Sequence, residues 1–392
     1  MRFLIPAAVL AGLLVSCSSD DETTASGGLP ASASDAVATY ADIVEATYQD
    51  SAKTAGDLDA AAQALVAEPS QVTLDAARAA WLASREPYLQ SEAFRFYDGP
   101  IDNPEDGPEG MINAWPLDEA YIDYVDDMPE AGIVNDSAET IDASTLMSLN
   151  EQGGEENIAT GYHAIEFLLW GQDHSETGPG DRSFNDYTDG AESTAPNADR
   201  RGLYLTTTTG LLQSQLDDLV AAWAPGEENY RKEMESAEPK EAFRRILTGM
   251  IVLSGFETGG ERLQTALDSG SQEDEHSCFS DNTHRDMIQD IQGVKNVWEG
   301  HYHRLDGSMV SGVGIGSVIA EIDADLAKQV GDKIDASLAL AKALQPPFDQ
   351  EIALDNTEGR ARVEALIVSL REQEKLLEQV FRKLELDIPV AE

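Results

Sequence analysis

The sequence predicts an all-α protein composed of two helical-bundle halves. Apolar residues recur at helical spacing in both halves, for example in 40–48 and in 243–256. No segment shows a convincing alternation of apolar and polar residues, which would indicate a strand. A chain of 392 residues is longer than one domain usually needs. We therefore predict a first bundle at 35–224 and a second at 225–389.

The first 17 residues are typical of a lipoprotein signal peptide. Arg2 precedes an apolar run from Phe3 to Val15, and the small residue Ser16 precedes Cys17. The run of about 13 apolar residues is too short to span a bilayer, so a transmembrane anchor is not favoured. We expect Cys17 to be lipidated, followed by a flexible tether at 18–34. The protein would then be exported and anchored at the periplasmic face of the inner or outer membrane, or at the cell surface.

The composition limits the partners that the protein can have. Its 73 acidic and 26 basic residues argue against nucleic acid or an anionic membrane surface. The same excess of acid attracts cations, although it is equally typical of a protein from a saline habitat. Besides Cys17 the chain has one cysteine, Cys278, so no intramolecular disulfide is expected in the mature protein.

The first half contains a predicted helix with a charged and aromatic side. Trp81, Arg85, Tyr88, Glu92 and Arg95 follow one another along it, and the charged residues among them are within reach of each other. A solvated series of charges is the simpler interpretation of such a pattern. The aromatic residues between the charges indicate instead that this side of the helix is partly covered.

A second helix, within Asn157–Gly171, places a histidine and a carboxylate among apolar residues. His163 and Glu166 are three residues apart and therefore lie on one face, together with Phe167 and Trp170. A helix that is apolar nearly all round is buried, and a buried carboxylate needs a partner such as a metal ion, an arginine or a protonated imidazole. The alternative is a structural pair that ties two helices together.

The second half has two polar segments that could contribute to a site. Glu257, Glu261 and Arg262 directly follow the apolar face at 243–256. Asp281 and His284 are three residues apart at the start of a further helix, where an N-capping aspartate beside a histidine is the alternative interpretation.

Other histidines carry weaker signals. His276 and Cys278 would suit a soft metal, but no CxxC or HxxxH spacing supports a zinc site. His174, in a long polar loop, is most simply an exposed loop residue. His301 and His303 are expected at the end of a helix that runs from about residue 288 to 302.

Three stretches resemble proteins of the imelysin family, and specifically its iron-regulated subgroup. They are GYHAIEFLLWGQD, which contains a GxHxxE motif at 161–166, the region from Trp81 to Asp102, and SCFSDNTHRD at 277–286. The resemblance implies a duplicated helical bundle and an E…ER pattern at 257–262. It also implies that the charged residues of all three regions surround one site near the junction of the halves.

The resemblance implies a role in iron uptake or handling. We expect iron, another divalent metal or a small iron-bearing ligand to bind at His163, Glu166 and Glu92, with protein partners from an iron-uptake system. The residues expected to line this site are Arg85, Arg95, Asp102, Trp170, Glu257, Glu261, Arg262, Asp281 and His284.

Two other functions remain open. Peptidase activity has been assigned to imelysins, so a metallopeptidase is one alternative. However, HExxH is absent, and the inverted HxxEH motif would need a histidine where Phe167 stands. The HxxE order also differs from the ExxH of di-iron bundles. The other alternative is a protein-binding module in which the HxxE pair is structural.

Overall fold

The computed structural model describes residues 28–175 and 177–389 and confirms the all-α prediction. Its α-helices are α1 (Ala33–Ala67), α2 (Gln71–Gln90), α3 (Glu109–Ile112), α4 (Glu119–Ile122), α5 (Ala143–Leu149), α6 (Gly161–Trp170), α7 (Ala198–Trp223), α8 (Tyr230–Ser236), α9 (Pro239–Val252), α10 (Thr265–Ser269), α11 (Thr283–Glu299), α12 (Ile315–Ile322), α13 (Ala324–Ala341), α14 (Phe348–Ile352) and α15 (Thr357–Lys383). Short 3-10 helices lie at Ser91–Phe94, Phe184–Tyr187 and Gln272–Asp274. Among the described helices, none combines the length and the apolar character needed to cross a membrane.

A small β-hairpin corrects the expectation that the chain has no strand. β1 (His301–His303) pairs antiparallel with β2 (Met309–Ser311). Helix α11 ends before this hairpin because Gly300 adopts φ +76°, the left-handed conformation that commonly ends helices. His301 and His303 therefore lie on a strand and not on the predicted helix end. Three-residue strands are too short for their alternation to be recognised in a sequence.

One large apolar core joins the helices of both halves. Helix α1 packs along α2 and α7, α2 packs on α11, and α13 lies between α11 and α15. The main core includes buried residues from Leu29 to Leu384, and therefore from both sides of residue 225. The division into two bundles at that residue remains a prediction. The last residues of the predicted tether at 18–34 are part of the folded protein, because Leu29 is buried and α1 begins at Ala33.

A π-helix at Leu253–Gln264 connects α9 directly to α10. Two glycines in it allow α15 to pack closely. A side chain at Gly255 would collide with the carboxylate of Glu374, and one at Gly259 would contact Leu370. Since a π-helix closes its hydrogen bonds five residues apart, it aligns residues of that spacing, and such segments often lie at functional sites. This one carries three of the residues predicted to line the site.

Candidate functional site

Helix α6 is fixed at both ends by glycines. Gly161 has φ +84°, and a Cβ added to it would overlap the carbonyl group of Ile112. Only glycine meets both conditions without strain, which explains the first position of the GxHxxE motif. The helix ends at Gly171, with φ +70°. The indole nitrogen of Trp81 donates to the carbonyl oxygen of Tyr162 at 2.9 Å, so α2 holds the first turn of α6 in place.

His163 and Glu166 form a fully buried pair. The Nδ1 atom of His163 lies 3.0 Å from Oε2 of Glu166. The other carboxyl oxygen accepts hydrogen bonds from Ser280, through its backbone nitrogen at 3.0 Å and its hydroxyl at 2.6 Å. Both oxygens of Glu166 are therefore engaged. Within the described part of the chain, the Nε2 atom of His163 has no hydrogen-bond partner.

The environment keeps this pair uncharged near neutral pH. Burial raises the pKa of Glu166 to about 8, although Ser280 and Arg85 act in the opposite direction. Burial, and then the charge of Arg85, lower the pKa of His163. A neutral acid hydrogen-bonded to a neutral imidazole avoids the cost of burying two charges. His163 therefore presents one unpaired ring nitrogen, and Glu166 holds the ring in position.

Next to this pair lies a network centred on Asp286. Its carboxylate accepts hydrogen bonds from Arg85 at 3.2 Å, His276 at 2.8 Å and Ser277 at 2.6 Å. Burial alone would raise the pKa of Asp286, but the charge of Arg85 and these hydrogen bonds lower it below its usual range. Arg85 also donates to the amide oxygen of Asn113. The charge of the arginine is thus compensated inside the protein.

A second buried network links the two halves through Glu92. Arg262 donates to Glu92, and also to Glu257 and Asp290 at 2.9 Å each. Arg95 lies 2.7 Å from Glu92. Burial acts to raise the pKa of Glu92, but the charges of Arg95 and Arg262 outweigh burial and lower the pKa to about 2. Glu92 is therefore ionised at neutral pH. The π-helix contributes to this network, since it aligns Glu257 with Arg262 five residues later.

Above these networks lies a cavity of about 520 Å³, which we call the acidic cavity. Its wall contains six acidic side chains and two arginines. The acidic residues are Glu109, Glu151, Glu155, Glu257, Glu261 and Asp274, and the arginines are Arg95 and Arg262. The arginines are engaged by buried carboxylates, so the wall carries a net negative charge.

Two rings separate His163 from the acidic cavity. Trp115 and His276 both line the cavity. The ring centroid of each lies 4.9 Å from that of His163. His163 therefore lies directly behind the two rings that form this part of the cavity wall.

The structure brings eight of the predicted site residues together. Four line the acidic cavity, namely Arg95, Glu257, Glu261 and Arg262. The other four are buried in the pair and the networks beside it, namely His163, Glu166, Arg85 and Glu92.

The other predicted residues lie away from the acidic cavity. Asp102 accepts backbone hydrogen bonds from Phe96, Tyr97 and Gly99, so it shapes its own loop. Trp170 packs edge-on against Trp81 at 5.3 Å.

Asp281 and His284 are also placed differently from the prediction. The side chain of Asp281 is influenced electrostatically by Asp173 and Asp349, not by residues of the cavity. His284 lies 3.2 Å from the carbonyl oxygen of Asp281. His174 is exposed and contacts Asp126, as its loop position predicted. Cys17 lies outside the described residues.

The predicted metal ligands do not form a three-ligand centre. Across residues 28–175 and 177–389, no three His, Cys, Asp or Glu side chains are arranged to hold a metal ion. Glu92 is held by arginines and Glu166 by His163 and Ser280. Binding of a metal at His163 remains a prediction.

Several residues of the site were not predicted from the sequence. Asp286 and Asp290 lie on the same face of α11 as Thr283, and this polar stripe within an amphipathic helix was a usable signal. Trp115 and Asn113 come from a loop with no periodicity, so nothing in the sequence placed them.

Fold and site together define a mainly α-helical protein with a buried histidine–glutamate pair behind an acidic cavity. The family model for imelysin, peptidase M75, matches residues 44–377. The chain belongs to the imelysin family. This confirms the resemblance seen in the GxHxxE motif and the regions around it.

Individual relatives agree with this assignment. Iron-regulated protein A of Synechococcus elongatus is 24% identical over 324 residues, which cover 79% of this chain and 75% of the relative. A crystal structure from Parabacteroides distasonis, provisionally described as an iron-regulated protein A precursor, has a TM-score of 0.69 at 22% identity and covers 91% of this chain and 97% of that one. An imelysin-like protein from Psychrobacter arcticum has a TM-score of 0.61 at 14% identity, with coverage of 91% and 98%. The family and the cyanobacterial relative support an iron-related role.

Proposed function

We propose that this imelysin is an exported, lipid-anchored protein that binds a positively charged iron species in the acidic cavity as part of iron uptake or handling. The observation that carries the proposal is the composition of the cavity wall, with six acidic side chains against two arginines that are already paired. Carboxylate and imidazole are ligands that iron accepts. The signal-peptide pattern ending at Cys17 is the basis for export and anchoring.

The wall residues would act at different depths. Glu151, Glu155 and Glu261 are exposed at the cavity and would attract a cation from solvent. Deeper in the wall, Arg262 fixes the position of Glu257, and Arg95 fixes that of Glu109. The deeper carboxylates are thus pre-oriented.

His163 would serve as an inner ligand. Histidines that bind metals usually hydrogen-bond a carboxylate through the other ring nitrogen, which fixes the orientation of the ring. In the uncharged pair, Glu166 donates its acid proton to Nδ1 of His163, and the ring proton is on Nε2. Ligation at Nε2 therefore requires the pair to release one proton, after which Nδ1 donates to the Glu166 carboxylate and Nε2, which has no partner among the described residues, can bind the ion. Direct ligation requires Trp115 or His276 to move, because these rings separate His163 from the cavity.

Binding is a better-supported function than peptide hydrolysis. A general base must come within hydrogen-bond distance of the proton that it removes from a substrate or a water molecule. His163 and Glu166 are both fully buried, and Trp115 and His276 stand between His163 and the cavity. We therefore do not propose a peptidase.

Calorimetric titration of the full-length protein in detergent tests the proposal. Fe(II), supplied as ferrous ammonium sulfate without oxygen, is titrated into the wild type and into the double variant Glu257→Gln/Glu261→Gln. We expect saturable binding to the wild type and an affinity at least about tenfold lower in the variant, since two negative charges leave the wall. The matched control is Asp217→Asn/Asp218→Asn, which removes two exposed charges from α7.

The outcomes separate the parts of the proposal. Equal affinity in the cavity variant and the control, or no saturable binding to a folded wild type, would refute binding in the cavity. A His163→Ala variant then tests the inner ligand. Unchanged affinity in it would show that the iron species is held by the cavity wall alone.

A further inference from the structure

The acidic cavity is larger than a single metal ion requires. Its volume of about 520 Å³ lies in the range of about 300–1,000 Å³ that is usual for sites of small organic molecules. Part of its wall is apolar, since Ala114, Trp115 and Pro116 all line it. The Trp115 ring packs against two others, with its centroid 4.9 Å from that of His163 and 6.1 Å from that of Phe279. The cavity therefore offers an aromatic surface that a hydrated ion would not use.

Asn113, which also lines the acidic cavity, has an unsatisfied hydrogen-bond donor. The residue is only 4% exposed. Its amide oxygen accepts a hydrogen bond from Arg85, and because a guanidinium can only donate, the oxygen and not the nitrogen faces Arg85. The amide nitrogen has no hydrogen-bond partner among the described residues. Because a buried donor without a partner is costly, Asn113 is suited to a ligand that brings an oxygen acceptor.

Arg95 has a second donor of the same kind. Its two terminal nitrogens are occupied, Nη1 by Glu92 at 2.7 Å and Nη2 by Glu109 at 3.0 Å. Its Nε atom is buried and has no partner within the described ranges. Arg95 and Asn113 both line the cavity, so each keeps one N–H group for an acceptor that enters it. A bare cation has no acceptor and would leave both groups unsatisfied.

The carboxylates of the wall are spread out and do not converge on one point. Six acidic side chains line the cavity, yet across residues 28–175 and 177–389 no three His, Cys, Asp or Glu side chains are arranged to hold a metal ion. Glu151, Glu155 and Glu261 are exposed, whereas Asn113 is buried. The unsatisfied donor of Asn113 therefore lies deeper in the wall than these negative charges.

We propose that the acidic cavity takes iron as a small, positively charged organic chelate, in addition to the hydrated ion. Oxygen atoms of the chelate accept hydrogen bonds from Asn113 and Arg95, its hydrocarbon part packs on Trp115, and an ammonium group lies at the mouth beside Glu151 and Glu155. The chelator supplies the ligands of the iron, so the wall need not provide three. This inference rests on the proposed function, because it assumes that iron enters this cavity.

Ferrioxamine B is the probe that tests the inference. It is a ferric trihydroxamate whose neutral iron core carries an arm ending in an ammonium group, and acetylation of that amine gives a neutral chelate with the same core. Both chelates are titrated by calorimetry into the full-length protein in detergent. We expect saturable binding of ferrioxamine B. The acetylated form should bind at least about fivefold more weakly, because it lacks the charge that the exposed glutamates attract.

The decisive variant is Asn113→Asp. It keeps the size of the side chain and an oxygen atom facing Arg85, but it replaces the unsatisfied donor with a second oxygen. The affinity for ferrioxamine B should fall at least about tenfold, because a hydrogen bond is lost and two acceptors face each other. The affinity for Fe(II) should not fall, because an added carboxylate does not repel a cation.

A second variant, Glu151→Gln/Glu155→Gln, changes only exposed side chains at the mouth and should fold. It should bind ferrioxamine B no better than the wild type binds the acetylated chelate. The control Asp217→Asn/Asp218→Asn on α7 should retain the wild-type difference between the two chelates.

Any of three results would overturn the inference. They are no saturable binding of ferrioxamine B to the folded wild type, equal affinity of the wild type for the two chelates, and wild-type affinity for ferrioxamine B in Asn113→Asp. If the wild type binds Fe(II) but not ferrioxamine B, this inference fails while the proposed function stands. The two failures are therefore distinguishable.

Discussion

Replacing Arg262 with methionine tests the network that joins the two halves. The Arg262 side chain is only 5% exposed and contacts Glu92, Glu257 and Asp290. Breaking a buried ion pair by removing one partner costs about 3–5 kcal/mol. Two features place the expected loss at the lower end, about 3 kcal/mol. Glu92 keeps Arg95, and Asp290, whose pKa burial raises to about 7, readily takes a proton.

The loss should depend on pH in a defined direction. In the wild type the pKa of Glu92 is lowered to about 2, so its stabilisation is complete above the unfolded pKa of about 4.5 and disappears as the pH falls towards 2. Without Arg262 the pKa of Glu92 and that of Asp290 rise, so each residue, once ionised, stabilises the folded state less than it does in the wild type. The difference in unfolding free energy should therefore be larger at pH 8 than at pH 4.

Urea unfolding followed by circular dichroism at pH 4, 6 and 8 measures this difference. The control is Arg382→Met, whose exposed pair with Glu378 should contribute less than about 1 kcal/mol at any of these pH values. Adding Asp290→Asn to Arg262→Met should recover part of the stability at pH 8, because among the described ion pairs Asp290 has only Arg262 as its cation. A loss below about 1 kcal/mol, or one that is the same at pH 4 and pH 8, would refute the assigned role of the network.

Two further predictions concern the glycine of the GxHxxE motif and the lipid anchor. Gly161→Ala should destabilise the fold by about 3 kcal/mol in urea unfolding, because it combines a positive φ with an overlap on Ile112, whereas Gly178→Ala, with no heavy atom within 4 Å, should have little effect. Equal stability of the two variants would contradict the steric explanation of the motif. Cys17→Ser should abolish incorporation of labelled palmitate in cells and release the protein from the membrane fraction, and Cys278→Ser should do neither. Labelling that persists in Cys17→Ser would refute the lipid anchor.

The sequence predicted well those features that depend on local spacing. Helical periodicity identified the fold class, and the apolar surroundings of His163 and Glu166 predicted a buried pair on one face. The aromatic residues between Arg85 and Arg95 correctly indicated covered charges, since Arg85 is fully buried. Each of these features depends on residues within about two helical turns of one another in the sequence.

Features that depend on distant contacts could not be predicted. Glu92 was expected at a metal, but it meets Arg262, 170 residues later in the chain. Asp102 accepts hydrogen bonds from backbone nitrogens of its own loop. Residue spacing alone cannot distinguish a carboxylate that does this from one that binds a ligand.

The most direct test of the central claim is anomalous diffraction at the iron edge from crystals of the wild-type protein soaked in iron. We predict an anomalous peak within the acidic cavity, bordered by Glu257 and Glu261. A shift of Trp115 would accompany the peak if His163 ligates the ion directly. Absence of a peak in the cavity, when iron is found elsewhere on the protein or nowhere at all, would contradict the account.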